Sequence, residues 1–167
     1  MKKKSNYIPL ILFLAISLIF FVLKPVNNDF ELKLSSSELH LISGKTLDLS
    51  ELRGEFYIIH FFASWCGNCK DDFVALEVIK AKTSVPVIGI AVNDNFNKLK
   101  SLLNKGRWPY DHVAIDFDNT IAKLVRNKAI PETFVINPEG KVVFRHLGAL
   151  DRRLVEKHII PLLKNEK

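Results

Sequence analysis

The 167-residue chain has two cysteines, and both lie in one stretch, Phe61-Phe62-Ala63-Ser64-Trp65-Cys66-Gly67-Asn68-Cys69-Lys70. Two thiols at this spacing can staple a turn, contribute half of a zinc site, or exchange electrons with other thiols. Stapling gains little, because closing so short a loop removes little chain entropy. Zinc needs two more ligands, and the chain offers no second Cys-x-x-Cys and no paired-histidine motif. Thiol–disulfide exchange is the chemistry that this setting favours.

The flanking residues say how the pair is positioned. Phe56 to Ala63 is apolar except for His60, and rich in aromatic and β-branched types, which suits a strand buried on both faces. Beyond the pair, Phe73, Leu76 and Ile79 recur at helical spacing. This pattern predicts Cys66 at the mouth of a helix and Cys69 one turn inside it. Side chains at i and i+3 are neighbours on a helix, within reach of a disulfide. The free amides and dipole at a helix N-terminus stabilise a thiolate at Cys66, while Cys69, deeper and shielded, holds its proton longer. One sulfur attacks and the other resolves the mixed disulfide.

The remaining chain supplies a scaffold of alternating strands and helices. Leu39 to Leu47 predicts a hairpin turning at Ser43-Gly44, and Leu49, Leu52 and Gly54 a short helical turn before the central strand. Val85 to Val92 predicts a strand completing a βαβ unit. Phe96, Leu99, Leu102 and Leu103 mark a helix capped near Asn93-Asp94-Asn95. A short strand follows Pro109, and Thr120 to Val125 is a short helix. Thr133 to Ile136 and Lys141 to His146 flank Asn137-Pro138-Glu139-Gly140, a hairpin signal. Leu150 to Leu163 closes the chain as an amphipathic helix that Pro161 ends or kinks.

The N-terminus differs in kind. Met1-Lys2-Lys3-Lys4 is basic, and Tyr7 to Leu23 is uncharged and mostly Leu, Ile and Phe. The run is short for a membrane span but longer than the usual signal-peptide core, and Lys24-Pro25 follows it instead of a small-residue cleavage site. The expectation is an uncleaved, single-pass anchor over 1–24, a linker over 25–29 and one domain over 30–167. The positive-inside rule holds the lysines in the cytoplasm and sends the domain to the extracytoplasmic side of the membrane. The net charge of +6 belongs largely to this anchor. Without Lys2, Lys3, Lys4 and Lys24, 20 of the 24 basic residues remain against 18 acidic ones. No basic stripe or interleaved aromatic pattern argues for nucleic acid.

The βαβ unit with Cys-x-x-Cys, the proline-led hairpin and the closing helix together resemble the thioredoxin fold. Within it, Ala63 to Lys70, Ile130-Pro131-Glu132-Thr133-Phe134 and Arg145-His146-Leu147-Gly148 resemble the DsbE/CcmG group, membrane-anchored proteins of cytochrome c maturation, in the broader ResA/TlpA-like set. The resemblance implies an α/β fold whose central mixed sheet is flanked by helices, with an N-terminal hairpin extension. It implies Cys66 as attacking and Cys69 as resolving cysteine, with no cofactor beyond their disulfide. It implies that Pro131 stands opposite the pair after a cis bond, with Ile130 offering its backbone to an extended substrate, and that Glu132 and Asp72 are acids near the pair. For these two acids the alternative is a solvated surface charge.

Three positions depart from the family. Val125 to Ala129 replaces a glycine-containing run, Val74 stands where a helix-kinking proline is common, and His60 occupies the place of a buried acid or asparagine. His60 is either a hydrogen-bonded core residue or a buried imidazole that relays a proton for Cys69 or tunes its pKa. Trp65 is either packing or a platform beside the disulfide. The resemblance implies reduction of an apocytochrome c disulfide before haem attachment, with a membrane thiol electron donor restoring the pair. The chain carries no haem-attachment motif of its own, since Lys70 follows Cys69. The alternatives are a general reductase or disulfide donor for secreted cysteine-containing proteins, and a binding module without turnover.

Overall fold

Ser43-Gly44 turns the first hairpin, in which β1 (Glu38–His40) runs antiparallel to β2 (Thr46–Asp48). Gly44 takes φ 83°, a left-handed conformation that costs glycine least. The computed structural model describes Leu34 and residues 37–106 and 108–164. The expected anchor and linker lie outside the described residues, among which no helix is long and apolar enough to cross a membrane.

After a 3₁₀ turn at Leu49–Leu52 come β3 (Tyr57–Phe62), a second 3₁₀ turn (Asn68–Lys70) and α1 (Asp71–Lys82). Then follow β4 (Val87–Val92), α2 (Phe96–Leu103), β5 (His112–Asp116) and α3 (Thr120–Leu124). The hairpin of β6 (Glu132–Ile136) and β7 (Val142–Leu147) leads to the closing helix. One five-stranded mixed sheet has the order β5-β4-β3-β6-β7. β3 pairs in parallel with β4, and β4 with β5, while β6 is antiparallel to both β3 and β7. The first hairpin attaches to the outer margin of β5 through a bridge from Leu41 to Ala114 and a bond from the Ile42 amide to the Val113 carbonyl (2.8 Å).

Every residue of β3, β4 and β6 is buried, as expected for strands covered on both faces. On one face Ile58, Phe62, Val87 and Ala91 pack with α1 and the closing helix; on the other Tyr57, Ile59, Phe61 and Ile88 pack with α3 and the first hairpin. His60 is the polar interruption on the first face, paired in register with Gly89 on β4. Gly89 leaves room for aromatic rings to lie against the sheet. A Cβ there would stand 2.9 Å from a Phe62 ring carbon and 3.0 Å from two Tyr110 ring carbons. Gly89→Ala should therefore destabilise the protein by about 2 kcal/mol, the cost of overpacking a filled core, read from urea unfolding.

The closing helix does not end at Pro161, one of the two expectations for it. Asp151 caps it by accepting the Leu154 amide (2.6 Å), and α4 (Arg152–Leu154) passes into a π-helical turn, Val155–Ile159, and then α5 (Ile160–Lys164). The proline does not end the helix: it stands in the first turn of α5, directly after the π turn. It has no amide for the carbonyl four residues back, and widening the preceding turn moves that carbonyl off its ring. The Ile160 amide accordingly bonds five residues back, to Val155.

Candidate active site

Cys66 and Cys69 are joined as a disulfide just beyond the C-terminal end of β3, with Cα atoms 5.5 Å apart. Cys66 is partly exposed, whereas Cys69 is 2% exposed within the core beneath α1. The helix begins later than expected. Cys66 precedes it, Cys69 lies in the 3₁₀ turn, and α geometry starts at Asp71. Tighter 3₁₀ turns are common at helix N-termini, and this one changes the helix type under Cys69 but not its depth.

The approach to the pair is held by residues read from the sequence only as a helix cap. Asp94 accepts from the Ser64 amide (2.5 Å) and hydroxyl (2.6 Å), and the Asn93 carbonyl accepts the Trp65 indole N–H (3.0 Å). The Asn119 side chain donates to the Asn93 side-chain oxygen (2.8 Å), so the loops after β3, β4 and β5 are tied together. Trp65, the residue before Cys66, is 62% exposed and so is not a core residue.

The Ile130–Pro131 bond is cis, as expected. It lies just before β6, at the same end of the sheet as the disulfide, and Ile130 and Cys66 border the same core. The Pro131 carbonyl accepts the Gly148 amide at 2.9 Å. In place of a glycine-containing run, Arg126 itself takes φ 51°.

Glu132 and Asp72 are both fully buried, so neither is a solvated surface charge. Glu132 turns away from solvent into the loop before Pro131. Its carboxylate accepts from Arg145 Nε (2.5 Å), Asn127 Nδ2 (2.7 Å) and the Lys128 amide (2.9 Å). Arg145 also donates to the Arg126 carbonyl (2.9 Å) and lies 4.9 Å from the Phe134 ring centroid. Glu132 thus shapes the proline loop.

Asp72, one turn beyond Cys69, accepts the Leu150 amide through Oδ1. Burial, helped by the neighbouring Asp71 and opposed by the Leu150 amide, pushes its carboxyl up to about 7. That suits a group that gives and takes a proton near neutrality. His60 is also fully buried, with Nδ1 2.9 Å from Thr133 Oγ1, so the core-residue reading accounts for one ring nitrogen; the other faces Asp72. Burial pushes the imidazole down to about 3. Thr133, Tyr110 and Leu150 complete this cluster. Only strand register and a long-range contact bring them there, so no local sequence signal marked them. Among the described residues no group of His, Cys, Asp or Glu could hold a metal ion.

The pattern that defines the AhpC/TSA family matches residues 26–145. The chain belongs to that family. Over 178 residues it is 29% identical to the thiol:disulfide interchange protein DsbE of Yersinia pestis, covering 96% of this chain and 93% of that protein. It is equally identical to the DsbE of Escherichia coli K12 over 180 residues, covering 97% and 95%. The exposed lipoprotein thioredoxin Etrx1 of Streptococcus pneumoniae superimposes with a TM-score of 0.66 at 22% identity, over 77% of this chain and 98% of that one. This likeness establishes the thioredoxin-like fold expected from the sequence. The redox-active pair is complete in Cys66 and Cys69, without an external cofactor.

Proposed function

We infer that this protein is an extracytoplasmic thiol:disulfide oxidoreductase, tethered to the inner membrane by residues 1–24, that reduces the Cys-x-x-Cys disulfide of an apocytochrome c before haem attachment. The observation that carries the exchange chemistry is the asymmetry of the pair. Cys66 is accessible beside an exposed indole, whereas Cys69 is buried with a protonatable carboxyl one turn away. Similarity to interchange proteins over nearly the whole chain supports the reading.

Cys66 attacks a client sulfur, and the client's other sulfur leaves as a thiol. The backbone of Ile130 pairs with the extended client while Trp65 supports its apolar side chains. Cys69 then gives up its proton to Asp72 and attacks Cys66, releasing the reduced client. A membrane thiol donor returns the pair to the dithiol.

The test is a Cys69→Ala variant of the full chain. It should accumulate mixed disulfides between Cys66 and c-type apocytochromes, identified by mass spectrometry after non-reducing separation. Recovery of a broad set of secreted proteins would overturn the client assignment. Undiminished turnover of this variant in an insulin-reduction assay would overturn the resolving role of Cys69, and absence of turnover in the wild type would favour a binding module.

A further inference from the structure

Three buried polar atoms near the first turn of α1 have no hydrogen-bond partner: His60 Nε2, Asp72 Oδ2 and the Tyr110 hydroxyl. Unpaired polar atoms in a core are few and costly, so each calls for a physical reason. Two of these face one another, His60 Nε2 and Asp72 Oδ2 at 3.7 Å.

The imidazole has little freedom to turn elsewhere. Its Nδ1 is held by Thr133 Oγ1, from the residue paired with His60 across β3 and β6. Two rings lie to one side of it, Tyr110 with ring centroids 5.9 Å apart and planes at 25°, and Phe62 at 6.4 Å. A neutral imidazole carries one N–H. Thr133 Oγ1 lies within hydrogen-bond distance of Nδ1, and Nε2 stands 3.7 Å from Asp72 Oδ2 without another partner. With the N–H on Nδ1, the Nε2 lone pair is left free toward Asp72.

Resting on the exchange reaction proposed above, the geometry points to His60 as a positioning residue whose Nε2 accepts a hydrogen bond from the Asp72 carboxyl once Asp72 has taken the Cys69 proton. In that step the Cys69 S–H bond breaks, its proton passes to Asp72 Oδ2, and its electron pair attacks the Cys66 sulfur of the mixed disulfide. The Cys66–Cys69 bond forms and the Cys66–client bond breaks, with the client sulfur taking the electron pair and then a proton from solvent. The protein pair is oxidised by two electrons and the client disulfide reduced by two.

The groups that face Asp72 fit this role. Asp71 is its neighbour in α1, Cys69 precedes it by three residues in the 3₁₀ turn, His60 comes from β3, Tyr110 from the segment before β5, and the Leu150 amide from the turn into α4. Glu156, on the closing helix, is engaged at the surface by Lys82 and Arg152. No cation meets Asp72 among these groups, so the proton it takes is the means of neutralising it. His60 gives that proton a fixed direction.

The test has a spectroscopic arm and a kinetic arm. In reduced full-length protein titrated across neutrality, nitrogen NMR should show His60 as the Nδ1–H tautomer. Its Nε2 signal should move with the same midpoint as the Asp72 carboxyl carbon. An Nε2–H tautomer, or an Nε2 signal indifferent to Asp72, would overturn the inference. In rapid mixing with a peptide disulfide, His60→Phe should lower the ratio of peptide release to peptide capture about tenfold, the loss expected for one buried hydrogen bond. His60→Gln, which can still accept, should recover most of the ratio. Equal ratios and equal pH profiles in wild type and His60→Phe would overturn the inference. Absence of any mixed disulfide in the wild type would instead overturn the exchange reading beneath it. Should His60→Phe not fold, the titration of the wild type decides alone.

Discussion

Glu132→Ala should destabilise the protein by about 3 kcal/mol, the order expected when one member of a buried ion pair is removed and its partner stays. Three donors lose their acceptor together: Arg145 Nε, Asn127 Nδ2 and the Lys128 amide. Arg145 keeps some access to water, its side chain being 28% exposed, which places the cost toward the lower end of the range for such deletions. Urea unfolding of the oxidised protein measures it. Glu132→Gln should cost roughly half as much, since an amide oxygen still accepts. Adding Arg145→Leu to Glu132→Ala should recover part of the loss, because the stranded guanidinium is then gone. A loss well under 1 kcal/mol for Glu132→Ala would show that the loop before Pro131 holds its shape without the carboxylate.

Asp72→Asn should have the opposite sign. With the carboxyl pushed up to about 7 against an ordinary 3.8, the folded state binds a proton that the unfolded chain releases earlier. Its contribution to stability is fully present below the unfolded value, falls as pH rises toward the folded value, and is flat above it. Asparagine is neutral throughout and keeps an oxygen for the Leu150 amide. The variant should therefore match wild type near pH 4 and exceed it by on the order of 3 kcal/mol above neutrality. The difference between the two pH profiles isolates Asp72 from carboxylates held low by their partners, such as Asp111 with Lys80. The same substitution should slow peptide release, since an amide accepts no proton from Cys69. A difference profile that stays level across this range would mean that Asp72 is ionised throughout in the folded protein.

The scaffold was largely legible because its signals are local. Runs of β-branched and aromatic residues marked β3 and β4, Asn137-Pro138-Glu139-Gly140 marked the β6–β7 turn, and Asn95 does cap α2, accepting from the Asn97 and Lys98 amides. The cysteine pair was legible for the same reason. The environments of the acids were not. Asp72 is buried by a segment 78 residues away, and Glu132 by an arginine 13 residues on, across a hairpin. Nothing within a helical or strand period of either residue distinguishes it from a surface charge. The 3₁₀ entry to α1 and the π turn before Pro161 escaped because apolar periodicity locates a helix without fixing the hydrogen-bond spacing within it.

The first hairpin matters for more than its own two strands. In the function proposed above the protein meets extended client backbone, and an open sheet margin would accept it as an extra strand. Leu41 and Ile42 engage β5 at Val113 and Ala114, so that part of this margin is already taken. At those two residues a passing polypeptide finds no free β5 backbone on which to accrete, away from the sulfurs that could let it go again.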